Sequence, residues 1–248
     1  MKLYDELSSW WQLMSPAGEY AEEASFYSDM LHNAATLPVR TILELGSGGG
    51  NNASHMKRRF TEMVLVELSS GMLAMSRALN PDLEHHLGDM RTVRLGRQFD
   101  AVFVHDAVCY MTTTSDLRRA VDTAFAHCKP GGVALFCPDH TRENFVASSE
   151  HGGEDDGGRG MRWLAWQWQK HPADSTYFVD YAYLLRESDG TVRVEHDRHI
   201  EGLFSRDTWL RTFIEAGFEP KVVPFEHSDL EPGKHEVFVC LRPVRHQT

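Results

Sequence analysis

The stretch RTILELGSGGG at residues 40–50 sets an apolar run directly before a cluster of glycines. The run, Thr41–Leu45, favours a strand, and the glycines leave no room for a longer turn. The pattern therefore predicts a buried strand, a tight loop and a helix that begins near Asn51. Because glycine has no Cβ, such a loop lets its backbone approach a ligand, and the helix turns free N–H groups toward the same place.

The charge at this loop narrows the kind of ligand. Glu44 lies near the end of the strand, where its carboxylate would repel a diphosphate and attract a cation. A dinucleotide-binding loop needs a third glycine five positions after Gly46, and Asn51 stands there instead. The loop suits a ligand with a positive group and hydroxyls, and S-adenosylmethionine is such a ligand.

Composition bounds the class of protein and of partner. The chain has 248 residues, 42% of them hydrophobic, enough for one α/β domain with an elaboration. Its net charge of -11 argues against nucleic acid, which is bound by clustered Lys and Arg, and favours a small-molecule substrate. No apolar run approaches the ~20 residues of a membrane span and no signal peptide begins the chain, so we expect a cytoplasmic protein that makes no membrane contact. Four scattered cysteines without a C-x-x-C pair lead us to expect neither a disulfide nor a metal site.

A second strand, predicted at 63–67, ends in another acid, Glu67. A carboxylate at this place can accept hydrogen bonds from both hydroxyls of a ribose. The next residues, Leu68 and then Ser69-Ser70, lead into a helix that these serines cap and that carries Met72 near the expected adenine site. This part of the chain therefore predicts the ribose and adenine end of a ligand.

A third strand, predicted at 83–87, is followed by Gly88, Asp89 and Met90. The Asp carboxylate can accept a hydrogen bond from an adenine amino group while the Met side chain covers the ring. A fourth strand, predicted at 99–104, ends at His105 and Asp106, at the point where an open parallel sheet reverses its strand order. Ligands of such sheets bind at that crevice.

Next along the chain, Ser115 is predicted to cap an amphipathic helix that ends at the sequence KPGG, residues 129–132. A fifth strand is expected at 132–138. The glycine-rich and acidic segment 148–160 reads as a mobile loop, because it has too little apolar surface to order itself.

After that loop the pattern changes from α/β to antiparallel β. Strands are expected at 162–169, 176–186 and 192–200, and Ser188-Asp189-Gly190 is a strong hairpin turn. A last helix, 204–216 with Ser205 as its cap and Trp209, Leu210, Phe213 and Ile214 facing inward, precedes two final strands at 218–225 and 235–241. Two helical patterns over 3–34, separated at Ser15-Pro16, precede the first strand.

The acidic-x-Gly-x-Gly-x-Gly loop, the ribose acid, Gly-Asp-Met and KPGG together resemble the class I S-adenosylmethionine-dependent methyltransferases. Residues 88–104 and 203–217, with the β insertion, are more specifically similar to the nucleotide-amino-sugar N,N-dimethyltransferases. The resemblance implies a Rossmann-like seven-stranded sheet of order 3-2-1-4-5-7-6 with strand seven antiparallel. It implies a core formed by 1–147 and 201–248, and an insertion, 148–200, over the acceptor site. The cofactor-binding residues that we expect are Glu44, Gly46, Ser47, Gly48, Gly50, Glu67, Leu68, Met72, Gly88, Asp89, Met90, His105, Asp106 and Tyr20.

Methyl transfer to an amine needs a neutral nitrogen, so a general base near neutral pKa would help. Position at the carboxyl edge of the sheet selects His105 and His140, with Tyr110, Asp106 and Asp139 beside them. We predict His105, His140 and Tyr110 as catalytic residues. His196 and His199 in the insertion could also reach the acceptor, and the N-terminal aromatics Tyr4, Trp11, Tyr20 and Tyr27 could close over the cofactor.

The nature of the acceptor stays open on sequence alone. After the fourth strand the chain reads VHDAVCYM, which lacks the Asn/Asp-Pro-Pro-Tyr/Phe sequence of many DNA and protein amide methyltransferases. We expect a small amine, with an O- or C-methyltransferase or a non-catalytic S-adenosylmethionine-binding protein as alternatives. The aromatic-rich insertion would select the acceptor or, equally, form a homodimer.

Overall fold

The structure, a computed structural model, describes residues 1–228 and 231–244. Positions 229–230 and 245–248 of the predicted core lie outside the described residues. The described chain forms two β-sheets, with helices on both faces of the larger one.

The larger sheet has seven strands and confirms the predicted strand order. From one edge to the other the order is β3-β2-β1-β4-β5-β12-β11, which corresponds to 3-2-1-4-5-7-6. The first five strands are parallel, and β12 runs antiparallel to both of its neighbours. The strands are β1 (Thr41–Leu45), β2 (Glu62–Glu67), β3 (Glu84–Leu87), β4 (Phe99–Val104), β5 (Cys128–Phe136), β11 (Glu219–Phe225) and β12 (His235–Leu241).

Six α-helices flank this sheet or precede it within the described residues. They are α1 (Trp11–Met14), α2 (Ala21–Ala34), α3 (Asn51–Met56), α4 (Ser70–Leu79), α5 (Thr114–His127) and α6 (Arg206–Ala216), with single 3₁₀ turns at Ser8–Trp10, Ala17–Tyr20 and Asp106–Tyr110. The predicted caps Ser69 and Ser205 accept from Met72 N–H and Thr208 N–H. The predicted cap Ser115 is wrong, because α5 begins earlier and the Thr113 hydroxyl accepts from Asp116 N–H.

The central strands are apolar on both faces, as expected of a parallel sheet covered on both sides. On one face Val102, Val104 and Phe136 pack with α5 and α6, and on the other Ile42 and Phe103 pack with α2 and α3. The prediction that Ile214 faces inward is wrong. Its side chain is 61% exposed, because Trp209, Thr212 and Phe213 already fill the buried face of α6.

The second sheet is antiparallel, with strand order β10-β9-β8-β6 and β7 paired to β8. Its hairpin turn lies at the predicted Ser188-Asp189-Gly190, where Glu187 N–H donates to Thr191 O at 2.8 Å. The strands are β6 (Ser148–Gly152), β7 (Asp155–Asp156), β8 (Arg159–Trp168), β9 (Thr176–Arg186) and β10 (Val192–Gly202).

The prediction of a mobile loop over 148–160 is wrong. Residues Ser148–Gly152 pair with β8, so their backbone groups are satisfied by a distant strand and not by their own side chains. Gly152 lies so close to Trp163 that an added Cβ would come within 2.8 Å of the indole ring. Glycine here permits tight packing, a role that composition alone does not distinguish from flexibility.

The N-terminal segment joins the two sheets. Leu3, Leu7, Trp10 and Leu13 form one apolar cluster with Met161 and other residues of the second sheet. The Arg159 guanidinium stacks on Trp10 at 3.6 Å from the ring centroid. The N-terminal segment therefore covers the carboxyl edge of the larger sheet. None of the helices within 1–228 and 231–244 is long and apolar enough to cross a membrane.

Candidate active site

A cavity of about 780 Å³ opens at the carboxyl edge of the larger sheet. The ends of β1, β2, β3 and β4 meet there, together with the N-terminal segment and the second sheet. The cavity is lined by Tyr110 and by every predicted cofactor-binding residue except Gly50, namely Glu44, Gly46, Ser47, Gly48, Glu67, Leu68, Met72, Gly88, Asp89, Met90, His105, Asp106 and Tyr20.

The glycine loop follows β1 as predicted. Its glycines differ from one another in their surroundings and therefore in their roles. Gly48 has φ +53° and lines the cavity, and an added Cβ would meet only the Met72 Cε, at 3.8 Å. Gly50 lies behind the loop. An added Cβ there would come within 2.4 Å of the Ser76 hydroxyl and 2.5 Å of the Asn80 amide, so Gly50 permits packing on α4 and does not face the cavity.

Glu67 ends β2 and closes against the loop. Its Oε2 accepts from Gly48 N–H at 2.9 Å, and its Oε1 accepts from Ser69 N–H at 2.8 Å. Each carboxylate oxygen has further lone-pair capacity, so two hydroxyls could still bind. Burial raises the pKa of Glu67, and these backbone hydrogen bonds oppose that shift.

Two buried polar atoms at the loop have no hydrogen-bond partner among the described residues. They are Glu44 Oε2 and Ser47 Oγ, both in residues that line the cavity. Burial raises the pKa of Glu44 to about 8, with the nearby Glu67 and Glu23 adding to the effect and His105 opposing it. Unsatisfied buried polar groups are costly, so their position at an open cavity fits a ligand that supplies a positive group and a hydrogen-bond donor.

The residues present thus fit S-adenosylmethionine. Glu67 would hold the ribose, Glu44 would attract the positive end, and Met72 and Met90 would cover the adenine ring. Asp89 is held by Arg91, whose Nε lies 3.0 Å from both carboxylate oxygens, and the hydrogen bonds from Arg91 keep the pKa of Asp89 below its usual value. That pairing keeps the Asp89 carboxylate ionised at the adenine end.

His105 lies in a network of acids in the wall of the cavity. Its Nδ1 is 3.0 Å from Asp106 Oδ1, its Nε2 is 3.6 Å from Glu23 Oε1, and the Tyr27 hydroxyl is 3.1 Å from the same Nε2. Burial by itself would lower the pKa of His105, but Asp106 and Glu23 outweigh burial and raise that pKa from 6.5 to about 10. An imidazolium has no lone pair, so this charge state argues against His105 as general base in the ligand-free protein, and its catalytic role stays a prediction.

The charge on His105 makes stability depend on pH. The folded pKa is raised, so the stabilisation is complete below pH 6.5 and is lost as pH rises toward 10. We expect the free energy of unfolding to fall between about pH 7 and pH 8.5, and His105→Asn to flatten that slope. Chemical denaturation at several pH values measures it, with the exposed His151→Asn as control. An equal slope in both variants would contradict this charge state.

His140 does not line this cavity, so the structure does not bring it to the other predicted site residues, and its catalytic role stays a prediction. Its Nε2 is 2.8 Å from Gln167 Oε1, and its ring packs edge-on against Phe145 and Tyr177. The chain after β5 turns toward β8 and carries this side chain away from the glycine loop. Burial lowers the pKa of His140, and the neutral ring serves as packing.

The other end of the cavity is acidic. Asp106, Asp139 and Glu201 line it, together with Glu150. Carboxylate oxygens of Asp139 and Glu201 and the Cys109 thiol all lie within 4.8 Å of one another. Partial removal from water, with the neighbouring Asp106 and Glu201, raises the pKa of Asp139 well above its usual value although its side chain is exposed to the cavity, and burial raises the pKa of the enclosed Glu201.

Glu201 is a site residue that the sequence analysis missed. It ends β10 on the buried side, where Asp197, His199 and Glu201 occupy alternate positions and are 8%, 1% and 5% exposed. Since side chains alternate along a strand, the pattern Asp-x-His-x-Glu places three polar groups on one face. That alternation was the available signal.

The aromatic residues divide between several environments. Tyr4, Trp11 and Tyr20 line the cavity as expected, whereas Tyr27 packs below it against Phe103 and Phe225. From the insertion, Trp163 and Tyr181 line the cavity, but Trp166 and Trp168 stack on the outer face. His196 also faces outward, 65% exposed and 3.0 Å from Asp180, so it cannot reach an acceptor in the cavity.

Comparison with known proteins identifies the same part of the chain. A family model described as methyltransferase domain matches residues 42–132, the segment that carries the loop and the ribose acid. A dTDP-3-amino-3,4,6-trideoxy-α-D-glucopyranose N,N-dimethyltransferase of Streptomyces venezuelae is 37% identical over 129 residues. That alignment covers 52% of this chain and spans about half, 54%, of the relative.

Solved structures match over nearly the whole chain. Streptomyces venezuelae DesVI superposes with a TM-score of 0.78 at 28% identity, covering 91% of this chain and 92% of DesVI. CalS10, an amino pentose methyltransferase from Micromonospora echinaspora solved with S-adenosylmethionine bound, gives a TM-score of 0.76 at 27% identity, with 90% and 91% coverage. With the glycine loop and carboxylates in place, the chain carries a methyltransferase domain over residues 42–132, and the fold of nearly the whole chain is similar to that of DesVI and CalS10.

Proposed function

We propose that the protein methylates the amino group of a small, nucleotide-linked amino sugar. S-adenosylmethionine, when bound, supplies an electrophilic methyl group on a sulfonium that departs as a neutral thioether. The protein must therefore hold the acceptor nitrogen in line with that methyl group and keep the nitrogen neutral. The observation that carries the choice of an amine is the acidic end of the cavity.

An ammonium group would relieve the repulsion within that acidic end. The raised pKa values of Asp139 and Glu201 mean that each carboxyl is destabilised as an anion in the ligand-free protein. A bound cation stabilises the ionised forms, whereas a neutral hydroxyl does not. The site therefore gains more from an amine than from an alcohol of the same shape.

The acceptor class is tested with a matched pair of sugar nucleotides. One is dTDP-3-amino-3,4,6-trideoxy-α-D-glucopyranose, and the other carries a hydroxyl in place of the amine. We expect mass spectrometry to show one or two added methyl groups on the amine only, and NMR to place them on nitrogen. Methylation of the hydroxyl compound at an equal rate would support an O-methyltransferase, and cofactor binding without turnover of any acceptor would contradict the enzyme assignment for this substrate class.

The insertion is proposed to select the acceptor and not to hold the cofactor. Trp163 and Tyr181 line the cavity near the acidic end, where a sugar ring could pack against them. We expect Tyr181→Ala to raise the acceptor KM by roughly tenfold, about 1.4 kcal/mol, with little change in affinity for S-adenosylhomocysteine. Trp168→Ala on the outer face is the control. A parallel loss of cofactor binding in the Tyr181 variant would place the insertion in the cofactor site.

The outer face of the second sheet is proposed to pair with a second copy of the chain. It carries exposed apolar residues on adjacent strands, and β10 is an edge strand with unpaired backbone groups. Asp180 and Arg198 on this face pair with each other at 2.7 Å, and Arg162 and Arg186 on the same face each pair with Asp155 at 2.6 Å. Light scattering of Val194→Asp tests the dimer, since a charge on this face should give the monomer mass. The exposed apolar residues, 45% to 69% exposed, are Leu164, Trp166, Leu184, Val192, Val194 and Ile200.

A cytoplasmic location is part of the same proposal. All four cysteines are buried with free thiols. Free thiols are usual where glutathione keeps cysteines reduced.

A further inference from the structure

Four side chains form a continuous hydrogen-bonded chain from the cavity into the second sheet. The Tyr4 and Tyr110 hydroxyls lie 2.7 Å apart, and the Tyr110 hydroxyl lies 2.9 Å from His199 Nδ1. His199 Nε2 is 3.1 Å from Asp197 Oδ2, which also accepts from Leu3 N–H at 3.0 Å. The two tyrosines line the cavity, whereas His199 and Asp197 are buried behind them.

The ionised Asp197, at the buried end of this network, determines which group donates and which accepts in each hydrogen bond. Burial by itself would raise the pKa of Asp197, but the hydrogen bonds from His199 and Leu3 outweigh it and hold that pKa below its usual value. An ionised carboxylate only accepts, so His199 must carry a proton on Nε2, and a neutral ring then has a bare Nδ1. The hydrogen-bond network thereby assigns the tautomer.

Because Nδ1 of His199 carries no proton, it fixes which of the two tyrosine hydroxyls donates to which. Tyr110 has one proton and donates it to Nδ1, so its oxygen accepts the proton that Tyr4 donates. Both phenol protons are then used in hydrogen bonds among these four side chains, and only lone pairs on the two phenol oxygens are left to face the cavity. The chain is thus arranged to accept a proton from a ligand.

We infer that Tyr4, Tyr110, His199 and Asp197 form a proton relay that removes a proton from the acceptor ammonium before methyl transfer. This inference rests on the proposed amine acceptor. An ammonium N–H bond breaks and its electron pair stays on nitrogen; the proton bonds to the Tyr4 oxygen, the Tyr4 proton to Tyr110 and the Tyr110 proton to His199 Nδ1. The products are a neutral amine, two unchanged phenols and an imidazolium that faces Asp197.

The division of labour within the relay is unequal. Tyr4 and Tyr110 can touch the acceptor, and His199 and Asp197 act through them as positioning residues. The other titratable groups that face His199 are Tyr181, whose ring centroid lies 4.9 Å away, and Glu201, whose carboxylate is held by the Tyr177 hydroxyl. Asp139 at the cavity is the competing proton acceptor.

One added proton reverses the donor and acceptor roles along the relay, so kcat should depend on pH. With a proton already on Nδ1, Tyr110 must accept from His199 and donate to Tyr4, so Tyr4 presents a donor to the cavity. The relay then has no unprotonated nitrogen left to take up the ammonium proton, so kcat falls in acid. Asp197→Asn removes the negative charge that the imidazolium faces, so the pH dependence of kcat in acid should differ from that of the wild type.

Kinetics with dTDP-3-amino-3,4,6-trideoxy-α-D-glucopyranose test the relay. We expect Tyr110→Phe and His199→Asn each to lower kcat by about tenfold with little change in the cofactor KM. His196→Asn, on the outer face of the same strand, and Tyr183→Phe, whose hydroxyl has no partner among the described residues, are the controls. Unchanged kcat and an unmoved acid limb in the relay variants, or loss of the limb in Asp139→Asn alone, would overturn the relay.

A second measurement does not depend on turnover. ¹⁵N NMR of histidine-labelled wild-type protein reports the tautomer of each ring, with the His199 signals assigned from the His199→Asn spectrum. We expect an Nε2–H tautomer at alkaline pH, and an Nδ1–H tautomer would overturn the relay whatever the acceptor is. Failure of every amine in turnover would instead sink the proposed function and leave the NMR result to decide the direction of the chain.

Discussion

Gly48→Val is expected to abolish cofactor binding and to leave a folded protein. The residue has φ +53°, a conformation that a β-branched side chain strongly disfavours. An added Cβ meets only the flexible end of Met72, at 3.8 Å, so the protein itself can accommodate it. The rest of the valine would occupy cavity space beside the loop, and we expect affinity for S-adenosylhomocysteine to fall at least about a hundredfold, roughly 2.8 kcal/mol.

Titration calorimetry measures this effect, and Gly96→Val is its matched control. Gly96 has φ +70° with nothing within 4 Å of an added Cβ, so it carries the same backbone strain away from the cavity. Equal thermal destabilisation of the two variants, with binding lost only in Gly48→Val, would separate steric exclusion from unfolding. Normal binding by a cooperatively melting Gly48→Val protein would show that the loop does not hold the cofactor.

Glu67→Ala is expected to weaken cofactor binding at least tenfold. The substitution removes the acceptor of two ribose hydroxyls, where each hydrogen bond to a carboxylate is worth roughly 1.5–3 kcal/mol. It also frees the N–H groups of Gly48 and Ser69, which loosens the loop. Glu62→Ala is the control, because Glu62 begins the same strand and pairs with Arg97 at the exposed end. Calorimetry that gives equal affinity for the two variants would remove Glu67 from the ribose site.

The local part of the site could be predicted because its signals are local. The order strand, glycine, acid is a property of short segments, and it suffices to place Gly46, Gly48 and Glu67 at one edge of a parallel sheet. The strand order followed from the family resemblance that those segments carry. Cap residues and strand ends differ from prediction by a few positions, as at Thr113.

The features that the sequence analysis did not predict depend on contacts between distant segments. The charge on His105 is stabilised by Asp106 beside it and also by Glu23, which α2 brings to it from far along the chain. Residues 148–152 become a strand only because β8 is beside them. Gly50 resembles its neighbours in the loop, but its glycine is required by Asn80 beside α4.

The sequence analysis did not predict the polar residues on the inward face of the insertion, because their role also depends on contacts with distant segments. Its aromatic content suggested an apolar wall, and the inward face of β10 instead carries Asp197, His199 and Glu201. The role inferred for His199 depends on its hydrogen-bonded connection to Tyr110 and Tyr4, which lie on other elements. The acidic end of the cavity is therefore assembled from three separate parts of the chain.

The most direct test of the whole account is a crystal structure of the protein with S-adenosylhomocysteine and dTDP-3-amino-3,4,6-trideoxy-α-D-glucopyranose. The account predicts the adenosyl ribose on Glu67 and the sugar nitrogen at the acidic end, between Asp139 and the Tyr4 hydroxyl and facing the sulfur. A cofactor product held away from the glycine loop, or a sugar whose nitrogen points out of the acidic end, would contradict it.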